Sequence, residues 1–175
     1  MAVDISHYVT QLSTELDDKA FNASDSLGRI GSSDVVSAMI DLLTHSNSES
    51  RYLAARTLGL VTNNQLALEP LLIAIDAKEN EDQKGDLLSV LEGFDISNHY
   101  VEVFKLYLFG SFKTSLVAKE LLDFKEFDIT ARILKKANKH WNHYKNNVKQ
   151  DDAFSLKKDE VEEMLAELTE YIDAQ

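Results

Sequence analysis

The chain has 175 residues, 44% of them hydrophobic and 27% charged, a balance ordinary for a folded domain in water. Its formal charge of −12 opposes broad binding to nucleic acid or anionic membranes, because each would be repelled at long range. The absence of cysteine excludes disulfides, thiolate metal ligands and a cysteine nucleophile, and it suits a reducing, cytoplasmic setting.

One proline and six glycines are too few for the turns of an all-β or doubly wound α/β protein. Apolar residues recur at three and four rather than at two, so the elements are helices. The opening "MAVDISHYV" has neither a basic n-region nor an apolar h-region, and no signal peptide is expected. No apolar run approaches the roughly 20 residues of a membrane span. "DISHYVTQLSTEL" places Ile5, Val9, Leu12 and Leu16 on one stripe, which predicts an N-terminal capping helix over about 3–18.

From residue 19 to about 149 the chain repeats itself. Leu27, Leu58, Leu91 and Leu122 follow one another at intervals of 31 to 33 residues, with Ala23, Ala54, Leu87 and Ala118 four positions before them. A second ladder keeps the same pace: Val36, Leu68 and Tyr100, with Ile40, Leu72 and Phe104. Two ladders with one period predict four copies of a two-helix unit, helix A then helix B. In the second copy, A covers about 49–61, "TNNQ" is the turn, and B covers about 66–77. Small residues on A let B approach closely, and the glycine after the leucine closes the helix or admits a neighbour's backbone. Pro70 falls in the first turn of B, where its missing N–H costs nothing. "THSNSES" and "AKENEDQ" are polar loops, and Asn63, Asn64 and Asp95 are candidate caps. "VKQDDAFS" reads as a partly flexible joint to a last, acidic helix over about 156–173, whose stripe is Val161, Leu165, Leu168 and Ile172. Repeat arrays need such polar-faced ends.

These residues resemble HEAT repeats, in particular the bacterial HEAT-like or phycobilisome-lyase type. The resemblance is carried by "AFNASDSLGRIGSSDVVSAMIDLL" and "SRYLAARTLGLV…ALEPLLIAI". Arg51, Ala54, Ala55, Leu58 and Gly59 match the pattern's helix A, Gly31 and Asp34 its turn, and Pro70, Leu71 and Leu72 its helix B. The match is good over 20–77, weaker over 84–110 and faint over 113–147, where Leu122-Asp123 replaces the Leu-Gly pair. The resemblance implies an all-α α-α superhelix, a short right-handed solenoid of about four helix pairs with capping helices, forming a single domain over 1–175. It also implies that Arg51 braces an inter-repeat loop rather than contacting a partner. Most such proteins are scaffolds, and a minority are bilin lyases or DNA-alkylation glycosylases.

No HExxH, phosphate-cradling glycine loop or nucleophile elbow is present in the sequence. His140 and His143 share a helix face, but no carboxylate or third histidine lies nearby in sequence, so no metal site is expected. Glu79, Glu81 and Asp82 lack an EF-hand's order. No cofactor is expected. One segment departs from the acidic remainder: residues 129–150 hold Arg132, Lys135, Lys136, Lys139, Lys145 and Lys149 with no acid, beside Trp141, the only tryptophan, and Tyr144. Two readings stand. Either the basic face balances the acidic C-terminal helix and Trp141 is core, or the helix faces a groove and binds an acidic partner or phosphate.

The leading expectation is a non-catalytic scaffold that binds another protein along the concave face lined by its B helices. The candidate contact residues are Asp41, Glu69, Glu102, Lys105, Arg132, Lys135, Lys136, Lys139, Trp141 and Tyr144. Nucleic acid and membrane are disfavoured as partners, and a monomer is favoured over an oligomer. The alternatives are a nucleic-acid binder or glycosylase-like enzyme using the 129–150 segment, and a bilin-lyase-like chaperone.

Overall fold

The computed structural model describes residues 4–14 and 16–174. Every regular element among them is helical. The α-helices are α1 (Ser6–Leu12), α2 (Asp18–Ile30), α3 (Ser33–Leu42), α4 (Ser48–Leu60), α5 (Leu68–Asp76), α6 (Lys84–Ser89), α7 (Tyr100–Phe109), α8 (Phe112–Phe124), α9 (Ala131–Asn147) and α10 (Asp152–Asp173). Helices occupy the chain positions expected for A (α2, α4, α6 and α8) and for B (α3, α5, α7 and α9). The fold is all-α, built from helices packed on near neighbours along the chain. It divides into two compact units, Met1–Asp95 and Ile96–Gln175.

In the first unit, short polar side chains decide where helices begin. The Asp17 carboxylate accepts from the Ala20 N–H at 2.8 Å, the Ser32 hydroxyl from Val35 at 3.3 Å and the Asn47 amide oxygen from Glu49 at 2.9 Å. Gly31, at φ 54°, ends α2 in the left-handed conformation that glycine adopts without a Cβ penalty. The core is the predicted one except at Ile40 and Leu72 of the second ladder, which are only half-buried. Leu27, Leu58 and Leu91 are fully buried, as are Ala54 and Leu87, with Ala23 nearly so; Val36 and Leu68 of the second ladder are buried too. Leu122, the last of the leucines, is only half-buried.

The Leu-Gly pairs mark where successive A elements touch. A Cβ on Gly28 would stand 2.6 Å from Leu60 Cβ, and one on Gly59 would stand 2.8 Å from Val90 Cγ1. No real side chain sits that close, so these glycines admit the next repeat's side chains. Polar bonds keep the same period: the Thr57 hydroxyl donates to Ser24 Oγ at 2.9 Å, and Arg56 donates to Ser24 Oγ and pairs with Asp25, both at 2.7 Å.

Several boundaries differ from expectation. The N-terminal cap is shorter than 3–18, and residues 3 and 15 lie outside the described chain. The Ser13 and Thr14 hydroxyls bond back to the Val9 and Gln11 carbonyls, competing with helical hydrogen bonds where α1 ends. Leu16 lies beyond α1, 40% exposed, with its N–H donating to Glu49. The third A element is broken into a 3-10 turn (Lys78–Gln83), α6, and a second 3-10 turn (Val90–Gly93). Asn64 stands at the N-cap of the 3-10 turn Gln65–Ala67, but its side chain makes no cap bond. Its amide donates instead to the carbonyls of Leu58 and Gly93, at 2.8 and 3.0 Å, joining the end of α4 to the third copy.

In the second unit α7 packs on α8 and on α9, and α9 packs on α10. The expected flexible joint opens a helix instead: the Asp151 carboxylate accepts from the Phe154 N–H at 3.1 Å, so α10 begins at Asp152 rather than near 156.

Candidate functional site

Helix α9 carries the basic segment. Its start is set by Thr130, whose hydroxyl accepts from the Ile133 N–H at 3.3 Å. Ala137 and Trp141, four apart, are its buried positions, so the basic residues around them are left to the outer faces. Arg132, Lys135, Lys136 and Lys139 are all exposed. Lys135 and Lys139 edge a shallow hollow floored in part by Ala131 and Leu134. Only Lys145 turns toward the acidic helix among the ion pairs seen on α9, at 4.0 Å from Glu162.

The exposed faces of α7 and α9 converge around His140. Burial first, then the charges of Lys105, Lys139 and His143, hold its imidazole below the ordinary histidine value, with Glu102 acting in the other direction. Glu102, Lys105 and Lys139 are therefore one electrostatic neighbourhood. Asp41 on α3 and Glu69 on α5 are exposed in the first unit.

Trp141 belongs to the core rather than to a surface. It is 2% exposed and stacks on Tyr144 at 5.8 Å and on Phe154 at 6.1 Å, with Lys145 over its ring at 5.3 Å. The reason is α10: its capped first turn brings Phe154 against the indole, a contact the local sequence of α9 does not contain. Tyr144, half-buried, continues the stack and meets Phe109 edge-on at 5.6 Å.

Beneath that stack lies a polar cluster that sequence reasoning missed. Lys157 donates to the Tyr107 carbonyl and to Ser115 Oγ, both at 2.8 Å, and lies 4.6 Å above the Tyr107 ring. The Ser115 hydroxyl donates to the same carbonyl at 2.7 Å, and the Tyr107 hydroxyl donates to Glu160 at 2.6 Å. Burial pushes the Lys157 ammonium below its ordinary value, while burial and then the Glu160 bond raise the Tyr107 phenol. With Ser115 giving its proton to a carbonyl, the cluster caps the end of α7 rather than arming a nucleophile. A signal existed: Lys157 sits on the stripe of Phe154, Val161 and Leu165, where an apolar residue is expected.

Arg51 is 6% exposed and braces two loops, as expected. It donates to Asn80 Oδ1 at 2.7 Å and to the carbonyls of His45, Ser46 and Glu79 at 2.7, 3.1 and 3.1 Å.

Residues 7–92 match the family model of HEAT repeats. Over that span the chain carries HEAT repeats. HEAT repeats are in general protein-interaction modules, and the family is typically without catalytic activity. No curated protein matches the chain. Among the described residues no helix is long and apolar enough to cross a membrane, and no three His, Asp or Glu side chains cluster as metal ligands.

Proposed function

We propose that the protein is a non-catalytic scaffold that binds an acidic surface of another protein in the cytoplasm, along faces lined by its B helices. The observation that carries this reading is the exposure of Arg132, Lys135, Lys136 and Lys139 on a helix segment with no acid. A face kept only to balance α10 would turn these cations toward its carboxylates, and Lys145 alone does so in an ion pair seen on α9. Electrostatic complementarity of this kind governs encounter rate and orientation more than resting affinity. The burial of Trp141 removes support from the nucleic-acid alternative, which needs an exposed aromatic platform.

The test is a charge reversal, Arg132→Glu with Lys136→Glu, compared with the unaltered chain in quantitative capture from lysate at two salt concentrations. The partner set lost on reversal should also be lost at high salt, with affinity reduced about tenfold or more and the thermal midpoint unchanged. An unchanged partner set, or a reversal that unfolds the chain, assigns the basic face a structural role.

A further inference from the structure

A second site, independent of the basic α9 face, lies in the second unit. A cleft of 520 Å³ opens between α8, residues 148–149 and the first turns of α10. Small-ligand sites typically span about 300–1,000 Å³.

The first observation is an apolar mouth. Phe112 and Leu116 on α8 and Leu156 on α10 all line the cleft, and all three are exposed, Phe112 at 87% and Leu156 at 71%. A single exposed apolar residue needs no explanation, whereas three that edge one cleft form a patch for something apolar to cover.

The second observation is the ammonium of Lys157. It donates to the Tyr107 carbonyl and to Ser115 Oγ, and it lies 4.6 Å and 5.7 Å from the ring centres of Tyr107 and Tyr144. Tyr107, Ser115, Tyr144 and Lys157 all line the cleft, so the charge itself stands at the cleft wall. An ammonium has three N–H donors, and two are spent among the described residues. None of the ion pairs seen there involves Lys157. A half-desolvated cation without a counterion is costly, and a carboxylate that meets it gains a charge-assisted bond.

The other lining charges nearly cancel. Lys119 pairs with Asp123 at 2.6 Å, the Asp151 carboxylate caps α10, and Glu160 accepts from the Tyr107 hydroxyl at 2.6 Å. Lys149 and Lys157 then stand against Asp151 and Glu160 in equal number. The choice of an anion therefore rests on the open N–H of Lys157 rather than on a strong field.

We infer that this cleft binds a medium-chain alkyl carboxylate, its carboxylate on the third N–H of Lys157 and its chain across Phe112, Leu116 and Leu156. A short anion such as acetate leaves the apolar mouth uncovered. An alcohol of the same length covers the mouth but forgoes the charge-assisted bond, and an alkylammonium is repelled by Lys157.

The experiment is calorimetric titration of the full chain with octanoate, octan-1-ol, octylammonium and acetate. Trp141 fluorescence is a second readout, since the indole stacks on Tyr144 and Phe154, which both line the cleft. Octanoate should bind at one site, octan-1-ol about tenfold more weakly and acetate about a hundredfold or more weakly. Lys157→Met should bring octanoate down to the affinity of octan-1-ol. Leu116→Glu with Leu156→Glu, both at exposed positions, should weaken octanoate about tenfold or more and leave the thermal midpoint unchanged. Equal binding of octanoate and octan-1-ol by the unaltered chain overturns the inference, even where Lys157→Met fails to fold. Octanoate binding that survives the double glutamate change also overturns it. So does a dimer in sedimentation that the double change dissociates and octanoate does not, which assigns the patch to a second copy of the chain.

Discussion

Gly93 lies so close to Gly59 that a Cβ on Gly93 would overlap the Gly59 carbonyl oxygen and stand 3.0 Å from its Cα. The end of the third copy's A element thus presses on the backbone of α4, with the Asn64 amide tying the Gly93 carbonyl to the same corner. Gly93 is not at a positive φ, so the demand here is for space rather than for an unusual backbone. Gly93→Ala should therefore cost about 1–3 kcal/mol, the range for overpacking, although replacing glycine ordinarily stabilises a chain through its unfolded state. A urea melt in which Gly93→Ala is neutral or stabilising would contradict this contact.

Leu58 is fully buried and Asp41 and Lys136 are exposed. Leu58→Ala should cost about 2–5 kcal/mol, because the surrounding helices cannot collapse fully into the cavity. Asp41→Ala and Lys136→Ala should each change stability by no more than about 0.5 kcal/mol. Equal losses at Leu58 and Asp41 in denaturant melts would mean that the assigned faces are reversed.

Arg51 joins the loop before α4 to the loop after α5 through one guanidinium. Arg51→Ala should lower stability by at least about 1.5–3 kcal/mol, the magnitude of a single hydrogen bond to a charged group. Arg51→Lys should recover little of this, since one compact ammonium cannot reproduce the planar fork that spans both loops. Amide exchange at residues 77–83 is the direct readout, and protection there that survives Arg51→Ala would remove the bracing role.

Trp141, the only tryptophan, reports on the second unit alone, while far-UV circular dichroism follows the helices of both. If the chain behaves as the single domain that its repeat period predicts, the two signals should trace one urea transition. Separated midpoints would establish two independently folding units.

Much of the fold was legible because a repeat writes tertiary contacts into local spacing. Leu27, Leu58 and Leu91 each bury at the same place in their own copy, and Gly28 and Gly59 each meet the element one period later. The single proline, Pro70, fell in the first turn of α5, where its missing N–H costs nothing, whereas the expected loop at 77–83 is largely a 3-10 turn. Less legible were the ends of elements, where a weak choice between side-chain and backbone partners decides the boundary. Ser13 and Thr14 shorten α1, and Asp151 lengthens α10.

The sequence by itself determined the all-helical class, the alternation of A and B helices, the inner face of the first unit and the segregation of six basic residues in one segment, since all of these are periodicities or compositions along the chain. Only the tertiary structure decided what meets those faces. Trp141 became core because Phe154, from another helix, packs on it at 6.1 Å. Lys157 became a half-buried cap because the Tyr107 carbonyl and Ser115 converge on its ammonium. Leu116 and Leu156 came to edge one cleft because α8 and α10, separated in the chain, both line it. Burial and hydrogen-bond satisfaction are properties of the neighbours that folding assembles, and in these three cases the decisive neighbours lie on other helices with no spacing rule to announce them.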